Sequence, residues 1–211
     1  MMLRATAVAI GAALVVSGGA AGGGGAPDAS ASVVAVTASG CSLVDARGVG
    51  WVGPGSVVVT AAHVVRGAGA VAVDGAPARV VRMDLRTDVA VLSVAVSRPR
   101  LRIASGAAPA SVWIANPRQP AVAASARRVT ASIDEPGEST TYTRQALALD
   151  EGVDRGESGS PVVDRDGSVV GMVFARTRDG QGAFAVASSE IAADLAAVSN
   201  SSPAVDTERC A

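Results

Sequence analysis

From Val33 onward the apolar residues come in short valine-rich runs: VVAVTA, SVVVTAAHVV, AVAVDG, ARVVRM, DVAVLSV, SVWIAN and SVVGMVF. Each run is about five to seven residues long and is bounded by Gly, Pro, Asp or Asn, the pattern of strands rather than helices. The dipeptides Asp74-Gly75, Asp166-Gly167 and Asp179-Gly180 lie between runs. Such pairs supply the positive-φ residues of tight hairpins, so the strands are expected to be antiparallel. No repeat of 20 to 50 residues and no heptad pattern is present, which excludes solenoids and coiled coils. One segment departs from the strand pattern. In IAADLAAVSN, Ile191, Leu195 and Val198 fall at i, i+4 and i+7, which predicts a helix. Ser188 and Ser189 are placed to cap it, Glu190 falls in its first turn, and Pro203 lies beyond its end. The stretch from Ser97 to Ala110, with two prolines, reads as a connection between two β halves of similar size.

The chain has 211 residues, 49% of them hydrophobic, enough for one globular unit or two small subdomains. With a net charge of -1 it lacks the basic surface that would neutralise phosphates, so nucleic acid is not an expected partner. MMLR, the apolar run from Ala5 to Val16 and SGGAAGGGG follow the order of a secretory signal peptide. The apolar run is shorter than the roughly 20 residues that span a bilayer, so cleavage near residue 20 is expected, with no stable membrane span afterwards. Residues 21–32 read as a flexible Gly/Ser-rich linker, and folding is expected to begin near Ser32. Together these features predict a secreted or periplasmic protein, in an oxidising compartment that favours a disulfide between Cys41 and Cys210. One histidine and two widely separated cysteines make no zinc cluster, and no phosphate-binding P-loop is present; no cofactor or metal is expected.

RGESGSPVVDRDG, residues 155 to 167, sets Ser158 between flanking turn residues and an apolar run. A serine hydroxyl becomes a nucleophile only when a base takes its proton. The single histidine, His63, follows an apolar strand and two alanines that leave room for its ring. A carboxylate is then needed to hold the imidazole in one tautomer. Asp88 opens DVAVLSV and would stand beside a buried strand, whereas Asp84 lies in the more polar MDLRT; Asp88 is the preferred candidate. The order His63, Asp88, Ser158 excludes an α/β-hydrolase, whose histidine follows its serine and whose elbow reads G-x-S-x-G.

GVGWVGPGSVVVTAAHVV, RTDVAVLSV and GESGSPVVDRDGSVVGMVFA together resemble the trypsin-like serine peptidases. Within that family the chain is similar to the bacterial secreted and periplasmic members, including HtrA-type catalytic domains and the actinobacterial acid-resistance protease. The resemblance implies an all-β fold of two antiparallel six-stranded barrels with a C-terminal helix, and a serine endopeptidase acting on protein or peptide substrates. It assigns His63, Asp88 and Ser158 as catalytic residues and the backbone amides of Gly156 and Ser158 as the oxyanion hole. It also places the specificity pocket near Gly152, Val153, Phe174 and Ala175, with Val153 and Phe174 as an apolar wall and Glu151 and Asp154 as an acidic alternative. Members of the acid-resistance group also carry a disulfide. Two positions depart from the family's usual G-[DN]-S-G-G-P. Glu157 is longer than the usual residue, with consequences for the oxyanion loop, and Ser160 replaces a glycine expected near substrate backbone. These departures mark the alternative, a non-catalytic relative that binds peptides or a protein partner.

Overall fold

A computed structural model describes residues 26–40, 45–134, 141–199 and 201–208. The signal-peptide expectation, residues 21–25 of the linker and both cysteines, Cys41 and Cys210, lie outside these residues. β1 (Val33–Gly40), β2 (Ala46–Val52), β3 (Val58–Ala61), β4 (Ala68–Val73), β5 (Ala76–Asp84) and β6 (Val89–Ser93) form the first sheet. Its order is β1-β2-β3-β6-β5-β4, and β1 pairs with both β2 and β4, which closes the sheet into a barrel. β7 (Ser111–Ile114), β8 (Val122–Asp134), β9 (Thr141–Leu149), β10 (Pro161–Val163), β11 (Val169–Arg176) and β12 (Ala183–Ala187) form the second. Its order is β10-β11-β12-β9-β8-β7, closed by pairing of β10 with β7. All of these strand pairings are antiparallel, as the hairpin dipeptides predict. Asp74 and Gly75 join β4 to β5 with φ of 47° and 85°, the left-handed pair that a two-residue hairpin of matching twist requires. Asp74 does more than turn: its carboxylate accepts the N–H of Ala35 at 2.9 Å and the Arg98 guanidinium at 2.7 Å.

The core shows why the barrels hold a fixed relation. Val34, Val36, Trp51, Val59 and Leu92 of the first barrel belong to one buried cluster with Met172, Val186 and Ile191 from the second half of the chain. A second cluster, with Val112, Leu147, Val162 and Val173, fills the other barrel. Burying a side chain of this size contributes about 1.5–3 kcal/mol, so a shared cluster makes separation of the barrels costly. The connection between β6 and β7 is stitched to both: Leu101 N–H donates to Val52 O (2.8 Å) and Ala104 N–H to Val169 O (2.9 Å). A one-turn helix, α1 (Ala62–Val65), follows β3, and α2 (Ser188–Ala196) ends the fold. α2 is the predicted helix with one correction: Ala187 is its N-cap and makes no side-chain cap bond, so neither serine caps it. Glu190 falls in the first turn as expected, and its carboxylate also accepts the N–H of Gln145 and faces Arg86 at 3.8 Å.

Candidate active site

His63 lies where β3 stops. Ala61 is still extended, Ala62 begins the single turn of α1, and both alanines are fully buried, so the chain turns tightly and carries His63 to the surface. Asp88 sits in the turn between β5 and β6 with φ of 59°, a left-handed conformation that aspartate tolerates better than bulkier residues. Three hydrogen bonds tie this turn to Asp88, two of them from His63 itself. Ala62 N–H donates to Asp88 O (3.1 Å), His63 N–H donates to Asp88 Oδ1 (2.9 Å), and His63 Nδ1–H donates to Asp88 Oδ2 (2.8 Å). Committing Nδ1 to the carboxylate leaves Nε2 as the free lone pair of the neutral ring. The Asp88 side chain is 10% exposed and the His63 side chain 46%, so the carboxylate is sheltered while the imidazole is open to solvent. Desolvation alone would lower the imidazole pKa; the hydrogen bond and charge of Asp88 together outweigh it and raise the pKa above 6.5, with Arg144 pulling it down. Asp84 has a different task. Its carboxylate accepts the N–H groups of Arg86 (2.9 Å) and Thr87 (3.3 Å), capping the turn that presents Asp88.

Ser158 comes from the loop between β9 and β10 in the second barrel. Its carbonyl accepts the N–H of Val49 at 2.8 Å, which docks the loop on β2, while Thr60 of β3 donates to Val49 O at 2.7 Å. Gly159 makes this docking tolerable: its φ is 95°, and a β-carbon there would overlap Val49 O. No hydrogen bond joins Ser158 Oγ to His63 among the described residues, a contact that apo enzymes often leave long until substrate arrives. Nor does any protein acceptor among them take the amide N–H of Gly156 or of Ser158. Gly156 has φ of 91°, and a β-carbon there would meet only Arg47 O at an ordinary 3.9 Å, so its conformation rather than crowding calls for glycine.

The two departures from the family motif have physical explanations. Glu157 uses its length to reach the loop after β7. Oε1 accepts Asn116 Nδ2–H (2.5 Å) and Gln119 Nε2–H (3.1 Å), and Oε2 accepts Asp154 N–H (2.8 Å). Ser160, expected near substrate backbone, is wholly buried, and its hydroxyl has no hydrogen-bond partner among the described residues. Its N–H donates to Glu157 O and its carbonyl accepts Val173 N–H, so the backbone turns the side chain inward.

Two cavities meet at Glu157. One, of about 390 Å³, runs between the barrels past Arg47, Val49, Arg155 and Gly156. The other, of about 370 Å³, is lined by Gly152 and Val153 together with Glu151, Asp154 and Arg176. Val153 lines this polar cavity, while Phe174 and Ala175 do not. Phe174 is 6% exposed and lies 4.8 Å beneath the guanidinium of Arg144, at a register shift of β11 between Val173 and Ala175. Asn116, Gln119 and Arg144 were not signalled by the sequence: the two amides sit in the turn-like NPRQP, and Arg144 lies in a strand whose polar residues read as a solvated face.

Residues 38–172 match the trypsin-like peptidase domain. The chain belongs to the trypsin-like serine peptidases. It is 32% identical over 178 residues to the serine protease Rv3671c of Mycobacterium tuberculosis strain H37Rv, and equally to the serine protease MT3772 of strain CDC 1551. Those alignments cover 78% of this chain and 45% of the relatives, so the chain spans about half the length of the curated relatives it matches. Among solved structures, the active form of the Rv3671c protease superposes with a TM-score of 0.74 at 29% identity, covering 86% of each chain. The HtrA-type protease AlgW with a tripeptide superposes at 0.63 and 22% identity, over 80% of this chain and 60% of AlgW, and shares the fold.

Proposed function

We propose that the chain is an exported serine endopeptidase that cleaves protein or peptide substrates through an acyl-enzyme. The observation that carries the reading is the doubly bonded His63–Asp88 pair, with Nδ1 committed to Asp88 and Nε2 free, in a fold whose Ser158 loop docks on β2. In this reading Ser158 Oγ attacks the scissile carbonyl carbon as His63 Nε2 takes its proton. The carbonyl oxygen becomes an oxyanion held by the N–H groups of Gly156 and Ser158. As the C–N bond breaks, His63 returns the proton to the leaving amine, and a water activated by the same ring then hydrolyses the ester. Asp88 holds the tautomer and stabilises the transient imidazolium without taking the proton. The bonds on Glu157 favour this over a binding-only relative, because they hold the residue between the two oxyanion amides in place.

Export rests on the sequence order of residues 1–25. The disulfide between Cys41 and Cys210 is supported from their neighbours. Gly40 packs against residues 67–69, and Thr207 bonds the same segment, donating Oγ1–H to Ala68 O at 2.6 Å and accepting Gly67 N–H at 2.5 Å. Intact mass of the secreted, denatured chain without reductant decides both: a loss of about 20 residues and no alkylated cysteine are expected, and two alkylated cysteines would exclude the bond. A fluorophosphonate probe tests the chemistry. Wild type should be labelled at Ser158 and Ser158→Ala should not; a folded wild type that resists the probe would favour the binding-only relative.

A further inference from the structure

We propose that Arg144 is a positioning residue of the active site: from the second barrel, its buried guanidinium shares the Asp88 carboxylate with His63 and so favours the neutral imidazole that accepts the serine proton. The role in turnover rests on the peptidase reading above; the effect on His63 does not. Arg144 lies on β9, and its side chain is only 3% exposed. One terminal nitrogen donates to Leu85 O at 3.2 Å. The other stands 3.7 Å from Asp88 Oδ2, the same oxygen that accepts Nδ1–H of His63. The guanidinium carbon lies over the Phe174 ring, 4.8 Å from its centroid. Nε and this second nitrogen have no hydrogen-bond partner among the described residues. A buried cation left so poorly satisfied is a weak way to hold two barrels together, since an apolar side chain of similar size packs there at less cost. The charge itself is therefore the useful part.

The surrounding charges are accounted for. Within reach of the guanidinium are Asp88, Asp84 and Arg86 of the β5–β6 turn and Glu190 of α2. Asp84 is engaged by Arg82 and by the turn's N–H groups, and Glu190 faces Arg86 and Gln145 N–H. Asp194 of α2, 2% exposed, accepts Arg82 Nε–H (2.7 Å) and Thr87 Oγ1–H (2.6 Å). Asp88 is thus the carboxylate that Arg144 shares with the imidazole. Among the influences on His63, Arg144 opposes the pull of Asp88 toward the charged ring.

The test uses the single histidine, whose ring protons titrate without overlap in a proton NMR spectrum of the full chain. In a Ser158→Ala background, which prevents self-cleavage, Arg144→Met should move the His63 midpoint to higher pH, whereas Arg144→Lys, which keeps the charge, should leave it near the parent value. In the active chain, Arg144→Met should lower kcat/KM about threefold to tenfold on the acid limb, with recovery at alkaline pH. A folded Arg144→Met with an unchanged or lower midpoint overturns the proposal. If Arg144→Met does not fold, Arg144→Gln carries the same measurement; failure of both neutral variants beside a folded Arg144→Lys would make the residue structural and also overturns it. Midpoints that move as expected in a chain whose unmutated form hydrolyses nothing would sustain this inference and sink the peptidase reading.

Discussion

In the first barrel, His63 and Asp88 are 25 residues apart and are joined by two direct bonds of 2.9 and 2.8 Å to one carboxylate. In the second, the Ser158 loop owes its shape to partners far away in sequence: Val49 of the other barrel, and Asn116 and Gln119, 41 and 38 residues before Glu157. One half of the site is a chemical pair that a short segment builds for itself. The other is a backbone conformation imposed from outside, and it is the half whose residues depart from the family motif. A substitution in the first half should therefore remove chemistry from an intact scaffold, whereas one around the second should distort geometry and leave the chemistry in place.

The largest break of this contrast is Asp88→Asn, which leaves the turn but offers Nδ1 the wrong partner. It should lower kcat/KM by about 10⁴-fold with the fold intact. Asp84→Asn should cost tenfold at most, together with about 1 kcal/mol of stability from a weaker turn cap. If Asp84→Asn proved the more damaging in steady-state kinetics, the assignment of the orienting carboxylate would be wrong.

Asn116→Ala probes the second half. It removes the short bond to Glu157 Oε1 and leaves those from Gln119 and Asp154. A loose oxyanion loop should lower kcat by about 10- to 100-fold with the His63 titration unchanged. A Asn116→Ala chain that moved the histidine midpoint would show that the two halves are not separately built.

The pH profile sharpens the comparison from the other side. In the proposed mechanism only neutral His63 accepts the serine proton, and its pKa is raised above 6.5, by Asp88 against desolvation. So kcat/KM should rise with pH through a midpoint above 6.5 and fall about tenfold per unit below it, reversibly. A flat profile from pH 5 to 8 in folded protein would remove His63 from the mechanism. The smallest expected effect is at Ser160, whose buried hydroxyl is unpartnered among the described residues. Ser160→Ala should be neutral or stabilising by about 1 kcal/mol in thermal unfolding, with activity retained.

What the chain reveals before folding follows the same division. The valine-rich runs and Asp-Gly turns carry the two barrels because strand pairing and hairpin chemistry are local. His63 and Asp88 stand at ends of β3 and the β5–β6 turn, and β3 pairs with β6, so neighbouring strands bring them together. The grip on Glu157 was illegible because no local pattern links NPRQP to GES. Arg144 was hidden because an arginine in TYTRQALAL reads as exposed, and only the packing of the second barrel against the β5–β6 turn buries it. Phe174, read as a pocket wall, is 6% exposed beneath Arg144, at a register shift in β11 that the run VVGMVFAR does not announce.

The most direct measurement of the central claim is the pre-steady-state release of p-nitrophenol from an activated ester, read against the same chain with Ser158→Ala. Wild type should show a burst of about one equivalent per folded chain, followed by slow turnover, with the acyl group recovered on Ser158 by mass spectrometry. Ser158→Ala should show none. A burst that survives Ser158→Ala, or an acyl group found on another residue, would contradict the account.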